Sequence, residues 1–204
     1  MEVREKILQK ATDLFMHYGI RSVTMDEIAV QLGVSKKTIY QFYADKDELV
    51  DAVLMSILDD NQENCCQHKI TAGNAIEEVL FATAMVKDMF ENMNPSLLYD
   101  LEKHHAESYK KFSQFKYKFL REIIIDNLKR GIEEGLYRPG LDVDIITLIR
   151  LETLMLPFSY SIAKSGHNFA QVHQQLAEMF LFGIASPKGY KLIEHYKQEQ
   201  QEKI

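Results

Sequence analysis

Cysteine is almost missing from this 204-residue chain: there are two, Cys65 and Cys66, and as neighbours they cannot close an ordinary disulfide loop. A disulfide framework is therefore excluded. With His68 they make an incomplete metal-ligand set that lacks a fourth ligand nearby in sequence, so no metal and no cofactor is expected. Proline (four) and glycine (nine) are also scarce, and no internal repeat or low-complexity run interrupts the chain. Long apolar runs are lacking as well. Lys, Arg, Asp or Glu breaks each one, which argues against a membrane span. The charged stretch Met1 to Lys10 has no continuous apolar core of the signal-peptide kind. A cytoplasmic protein with no membrane partner is expected.

Clean two-residue alternation is absent too, and a helical period takes its place nearly everywhere. Ile7, Leu8, Ala11, Leu14, Phe15 and Tyr18 form one stripe at spacings of three and four, and Gly19 is placed as a left-handed stop. Thr24 and Glu27 have the spacing of a reciprocal capping box, with Val23 and Ile28 flanking it as a staple. The short helix that follows ends at Gly33. Ser35 caps the next one between Val34 and Ile39, and Asp45 with Glu48 opens a fourth that runs from Lys46 into the Cys65 region. Later helices are expected at about 72–93, 95–105, 107–134, 142–165, 168–185 and 188–200. Gly135-Leu136 closes one of them, Pro139-Gly140 makes a turn, and Pro157 kinks or ends another. The fold class is all-α: a small N-terminal domain over residues 1–50 and a larger helical domain over 51–204.

The net charge of −6 weighs against a protein that coats nucleic acid indiscriminately. Its distribution says more. Residues 33–46 carry Lys36, Lys37 and Lys46 against Asp45 alone. Two short helices joined by a tight turn need a small residue where they cross, a residue tolerant of positive φ in the turn, and a buried aliphatic anchor beneath a polar face. Ala29, Gly33 and Ile39 supply these in order, four and six residues apart. With Ile39 and Tyr43 turned inward, Lys36, Lys37, Tyr40 and Gln41 turn outward. Lysine supplies charge for phosphate, and glutamine can read an adenine edge.

Residues 4–53 resemble the N-terminal domain of the tetracycline-repressor (TetR) family, and the stretch Ile28-Ala-Val-Gln-Leu-Gly-Val-Ser-Lys-Lys-Thr-Ile-Tyr-Gln-Phe-Tyr-Ala-Asp-Lys-Asp-Glu-Leu49 carries its pattern almost throughout. Gly131-Ile-Glu-Glu-Gly-Leu-Tyr-Arg138 looks like that family's usual helix end. The resemblance implies a repressor that binds double-stranded operator DNA as a homodimer and leaves it when a small-molecule effector binds. It implies a phosphate contact at Thr24, a DNA surface at Ser35, Lys36, Thr38 and Tyr40, a phosphate clamp at Lys46, and a specificity-setting position at Gln41. Two positions depart from the family: Lys37 stands where a small residue is frequent, and Phe42 where a polar ring is common.

For the larger domain the resemblance implies effector binding and dimerisation. Phe81, Met85, Met89, Phe112, Phe115, Phe119 and Phe158 could line an apolar cavity for a hydrophobic or aromatic effector, or simply fill the core. The segment from Ile145 to Phe158 is apolar on more than one face, and the helix around Phe180 has a similar surplus. That pattern points to a two-helix-per-subunit interface through Leu148, Leu151, Met155, Leu176, Phe180 and Ile184. The competing readings are a DNA-binding protein governed by a protein partner and a helical metal-binding enzyme. The single Glu102-x-x-His105 pair does little for the latter, because such sites need two copies.

Overall fold

The computed structural model describes residues 2–91 and 93–201. Met1, Asn92 and residues 202–204, which fall within the expected ranges 1–50, 72–93 and 51–204, lie outside them. Twelve α-helices appear among the described residues: α1 (Val3–Tyr18), α2 (Met25–Leu32), α3 (Lys36–Tyr40), α4 (Lys46–Thr71), α5 (Ala75–Glu91), α6 (Leu97–His104), α7 (Ala106–Gln114), α8 (Arg121–Glu133), α9 (Val143–Met155), α10 (Tyr160–Ser165), α11 (Phe169–Ile184) and α12 (Pro187–Gln201). The class is all-α. One isolated backbone bridge, Tyr137 to Ala185, is the nearest approach to a strand among those residues.

The chain forms two compact units, Met1–Gln62 with Asn92–Phe115, and Glu63–Glu91 with Lys116–Ile204. The first is built on the stripe of α1. Ile7, Ala11 and Phe15 close over Ile28 and Ala29 of α2, Ile39 of α3, and Leu49, Val50 and Val53 of α4, all nearly or wholly buried. Leu101 of α6 completes this core, with Tyr109, Phe112 and Phe115 packed against it. Polar ties hold α6 and α7 in place. The Asn94 backbone amide donates to the Met16 carbonyl (2.6 Å), the buried Asp100 carboxylate accepts the Arg21 amide (3.1 Å), and Lys111 pairs with Asp51 (2.7 Å). The expected boundary after residue 50 thus falls within α4, and residues 93–115 fold with the N-terminal helices.

In the second unit, Ala75 and Ile76 of α5 meet Leu128 of α8, Leu181 and Ile184 of α11, and Ile193 of α12 around Leu136 and Tyr137. The Tyr137 hydroxyl donates to the Ala75 carbonyl (3.1 Å) and to Asn127 Oδ1 (3.0 Å). Arg130 gathers the surrounding ends. It pairs with Glu134 (2.7 Å) and Glu78 (3.2 Å) and donates to the Ala72 carbonyl beyond the end of α4 (2.9 Å).

Several expectations change. The single helix expected over 107–134 is α7 and α8 joined by a π-helical stretch, Phe115–Leu120, where one wide turn re-aims the side chains. The helix expected over 142–165 breaks at Pro157 into α9, a 3-10 turn (Leu156–Phe158) and α10, because proline cannot donate the next helical hydrogen bond. Gly19 ends α1 with positive φ (+83°) but extended ψ (154°), so it is not the left-handed stop expected. By length and composition alone, Val143–Ile162 is apolar enough to cross a membrane, contrary to the expectation that no stretch reaches that length. It carries Arg150 and Glu152 and is the segment broken at Pro157.

Candidate functional site

The geometry from Thr24 to Lys46 begins with capping. Thr24 Oγ1 accepts the Glu27 amide (3.1 Å) and starts α2. The expected return bond from the Glu27 carboxylate is not formed among the described residues. The reciprocal box is found instead at the head of α1, between Glu2 and Glu5. α2 ends at Gly33 in the left-handed conformation (φ +67°, ψ 29°). The Gly33 amide bonds to the Val30 carbonyl (3.1 Å) and the Val34 amide to Ala29 (3.0 Å), the paired bonds of a Schellman turn. Ser35 then caps α3: its Oγ accepts the Thr38 amide (3.1 Å) and lies 2.8 Å from the Thr38 hydroxyl.

This punctuation fixes which way α3 faces. Ile39 and Tyr43 are buried, at 0% and 2% exposure, and Ala29 beneath them is small enough for α2 and α3 to approach. Thr24, Ser35, Lys36, Lys37, Tyr40, Gln41 and Phe42 are exposed, and Thr38 is half-buried. Lys36 is not idle. Its ammonium lies 2.9 Å from the Asp26 carboxylate and 5.9 Å from the Tyr40 ring centre, and the hydrogen bond to Asp26 raises its pKa. Both partners of that pair are exposed, so solvent screens it and it can open readily. Lys46 is held more firmly. Its Nζ donates to the Ile20 carbonyl (2.6 Å) above the Phe15 ring, and burial lowers its pKa against the opposing pull of Asp100 and Asp47.

The seven residues expected to line a cavity are divided between the two units. Phe112 and Phe115 pack against the core of the first unit, and the other five belong to the second. Phe158 stacks edge-on with Phe90 (5.1 Å) and Phe169 (5.4 Å), and Phe81 lies 5.6 Å from the His68 ring. Met85, Met89 and Phe119 are half-buried. An open depression of about 550 Å³ beside α12, lined by Leu136, Pro187 and Leu192 with Lys188, Lys191 and His195, touches none of the seven.

Sequence reasoning passed over three polar residues of the second unit. Thr147 and Arg150 on α9 and His173 on α11 are all buried, at 1%, 6% and 1% exposure. The available signal was a single arginine in a run otherwise read for its apolar content. Among the six residues expected at a subunit interface, Leu148 is 56% exposed and Met155, Leu176 and Phe180 are half-buried. Leu151 and Ile184 are 1% and 3% exposed and pack inside their own subunit. The exposed apolar row runs through Ile145, Leu148 and Ile149 on α9, with Leu156 exposed in the 3-10 turn and Met179 on α11. Cys65 is buried, which pushes its thiol up to about 11, whereas Cys66 is exposed. No group of three His, Cys, Asp or Glu able to hold a metal ion occurs among the described residues.

Comparison with known proteins agrees with this geometry. Residues 7–53 match the family of bacterial regulatory proteins described as the tetR family. The chain is 26% identical over 195 residues to the HTH-type transcriptional repressor KstR2 of Mycobacterium tuberculosis, covering 89% of this chain and 92% of that one. The solved structure of that ketosteroid transcriptional regulator superposes with a TM-score of 0.65, at 24% identity, over 91% of this chain and 96% of that chain. A FadR transcriptional regulator from Bacillus subtilis, solved in complex with stearoyl-CoA, superposes with a TM-score of 0.69 at 18% identity over 88% and 98%. The helix-turn-helix at residues 24–43 lies within the stretch that matches the tetR family of bacterial regulatory proteins, and the chain as a whole is similar in sequence and fold to transcriptional regulators that carry that domain.

Proposed function

We propose that the protein is a cytoplasmic repressor that binds operator DNA as a homodimer and is released by a small hydrophobic or aromatic effector. The observation that carries this reading is the outward face of α3. Lys37, Tyr40 and Gln41 stand exposed over a fully buried Ile39, so a polar helix surface is presented by a rigid support. In this reading Lys36, Lys37 and Tyr40 meet phosphates, Gln41 reads a base edge, and Thr24, Ser35 and Thr38 contact the backbone where their helices begin. The Lys46 ammonium keeps one donor on Ile20 and turns its remaining donors to phosphate. A dimer sets two such faces about one DNA turn apart, roughly 34–36 Å. The exposed α9 row supports pairing through Leu148 and its neighbours Ile145 and Ile149.

The direction of regulation follows the repressor KstR2, and the apolar effector follows both KstR2 and the stearoyl-CoA-bound FadR. Effector binding stabilises a conformer with the wrong spacing, which lowers operator affinity by linkage. Selection of bound fragments from the source genome tests this reading. One short two-fold-symmetric sequence should dominate, and an apolar ligand suggested by the neighbouring genes should release it. Uniform recovery of all fragments would contradict it.

A further inference from the structure

Arg150 is the unexplained charge of this molecule. Burial draws its pKa down to about 10, so it is still protonated at neutral pH. It has no carboxylate partner among the described residues, and its Nη1 is buried without an acceptor. Its guanidinium carbon lies 4.7 Å from the centre of the Phe180 ring. Arg130 shows what a structural arginine looks like here, with two carboxylates and a carbonyl around it. Removing a guanidinium from water without a counter-charge opposes folding, and a phenyl face recovers only part of that cost.

Two further polar atoms are buried and unpaired on α9 and its neighbour α11: Thr147 Oγ1, one turn before Arg150 on α9, and His173 Nε2 on α11. α9 and α11 pack together, and burial, with the charge of Arg150 added, holds the His173 pKa down to about 4, so this imidazole is neutral at physiological pH. Aromatic rings adjoin the cluster. Phe90 lies 5.5 Å from the His173 ring, Phe158 lies beyond Phe90, and Phe180 lies under Arg150. A cation, a hydroxyl and a neutral imidazole, all unsatisfied and set beside aromatic rings, match one kind of guest: an apolar body ending in an anionic oxygen group.

We propose that Arg150, with Thr147 and His173, binds the anionic head, carboxylate or phosphate, of an otherwise apolar ligand whose body lies against the neighbouring phenyl rings. This rests on the reading of the protein as effector-controlled and specifies the effector's chemistry. The guanidinium fork donates two parallel hydrogen bonds to either head, which an ammonium cannot match.

The test uses thermal unfolding of the full chain with dodecanoate, cholate, dodecyl phosphate and uncharged dodecanol, on wild type, Arg150→Met and Arg150→Lys. At least one anion should raise the wild-type midpoint well above the effect of dodecanol, with dodecanoate and cholate against dodecyl phosphate telling carboxylate from phosphate. Arg150→Met should bind that anion about 30-fold or more weakly, the consequence of deleting one side of a buried charge pair. Without ligand it should unfold no lower than wild type, because the uncompensated charge is gone. Arg150→Lys keeps the charge, loses the fork, and should fall between the two. The proposal is overturned if no anion moves the wild type, if dodecanol does as well as the anions, or if both variants keep wild-type anion affinity. Operator release by the same probes is read separately. An anion that binds through Arg150 but releases no DNA supports the site and counts against the effector reading. Release by dodecanol from wild type and Arg150→Met alike does the reverse.

Discussion

His173 shows how a single side chain ties stability to pH. Burial, helped by Arg150, holds its pKa at about 4 against an ordinary value of 6.5. Between those values the unfolded chain takes up a proton that the folded chain refuses. Stability is therefore full above about pH 6.5 and falls as the pH drops toward 4, by on the order of 3 kcal/mol in total. Urea unfolding from pH 7.5 to 4 should show that slope in wild type, and His173→Leu should remove its share of it. An identical slope in the variant would mean that His173 is not shielded from protonation. Nothing in the sequence signals this, since a histidine on an apolar face reads as ordinary core. Nor did it mark Arg150, because periodicity reports which face a residue is on and says nothing of whether its charge finds a partner.

At the scale of elements, two glycines are required for different reasons, Gly33 at the end of α2 and Gly131 inside α8. Gly33 has open space around the position a Cβ would take, so its requirement is the positive φ alone. Gly33→Ala should cost about 1–2 kcal/mol, from backbone strain. At Gly131 a Cβ would stand 2.1 Å from the Tyr137 ring. Gly131→Ala should cost about 1–3 kcal/mol through overpacking, and Tyr137→Ala should abolish that increment in a double-mutant cycle while leaving the Gly33 cost unchanged. Additive effects at 131 and 137 would contradict the contact. Gly33 stood out in the sequence as a helix stop, whereas Gly131 did not, because only coordinates reveal the close approach of Tyr137. Helix positions were legible for the same reason throughout: the caps at Thr24, Ser35 and Asp45 and the break at Pro157 are local signals. The π-helical stretch was not, because its extra residue leaves the apolar spacing of Phe112, Phe115 and Phe119 looking helical.

For the whole molecule, the sequence revealed the two-part plan but not which helices belong to which part. Residues 93–115 join the N-terminal unit through pairings such as Asp100 with Arg21 and Lys111 with Asp51, far apart in the chain and invisible to any local pattern. Assembly belongs to this scale too. Leu148→Glu changes an exposed residue, so each subunit should stay within about 0.5 kcal/mol of wild-type stability. Sedimentation should nonetheless show dimers giving way to monomers, and an unchanged dimer would move the interface elsewhere. The most direct test of the central claim is the salt dependence of operator binding. Log affinity against log salt should be steep for wild type, and Lys37→Ala and Lys46→Ala should each flatten it by about one unit while weakening all sequences alike. Slopes that match wild type in both variants would contradict the claim that this face of the molecule lies on DNA.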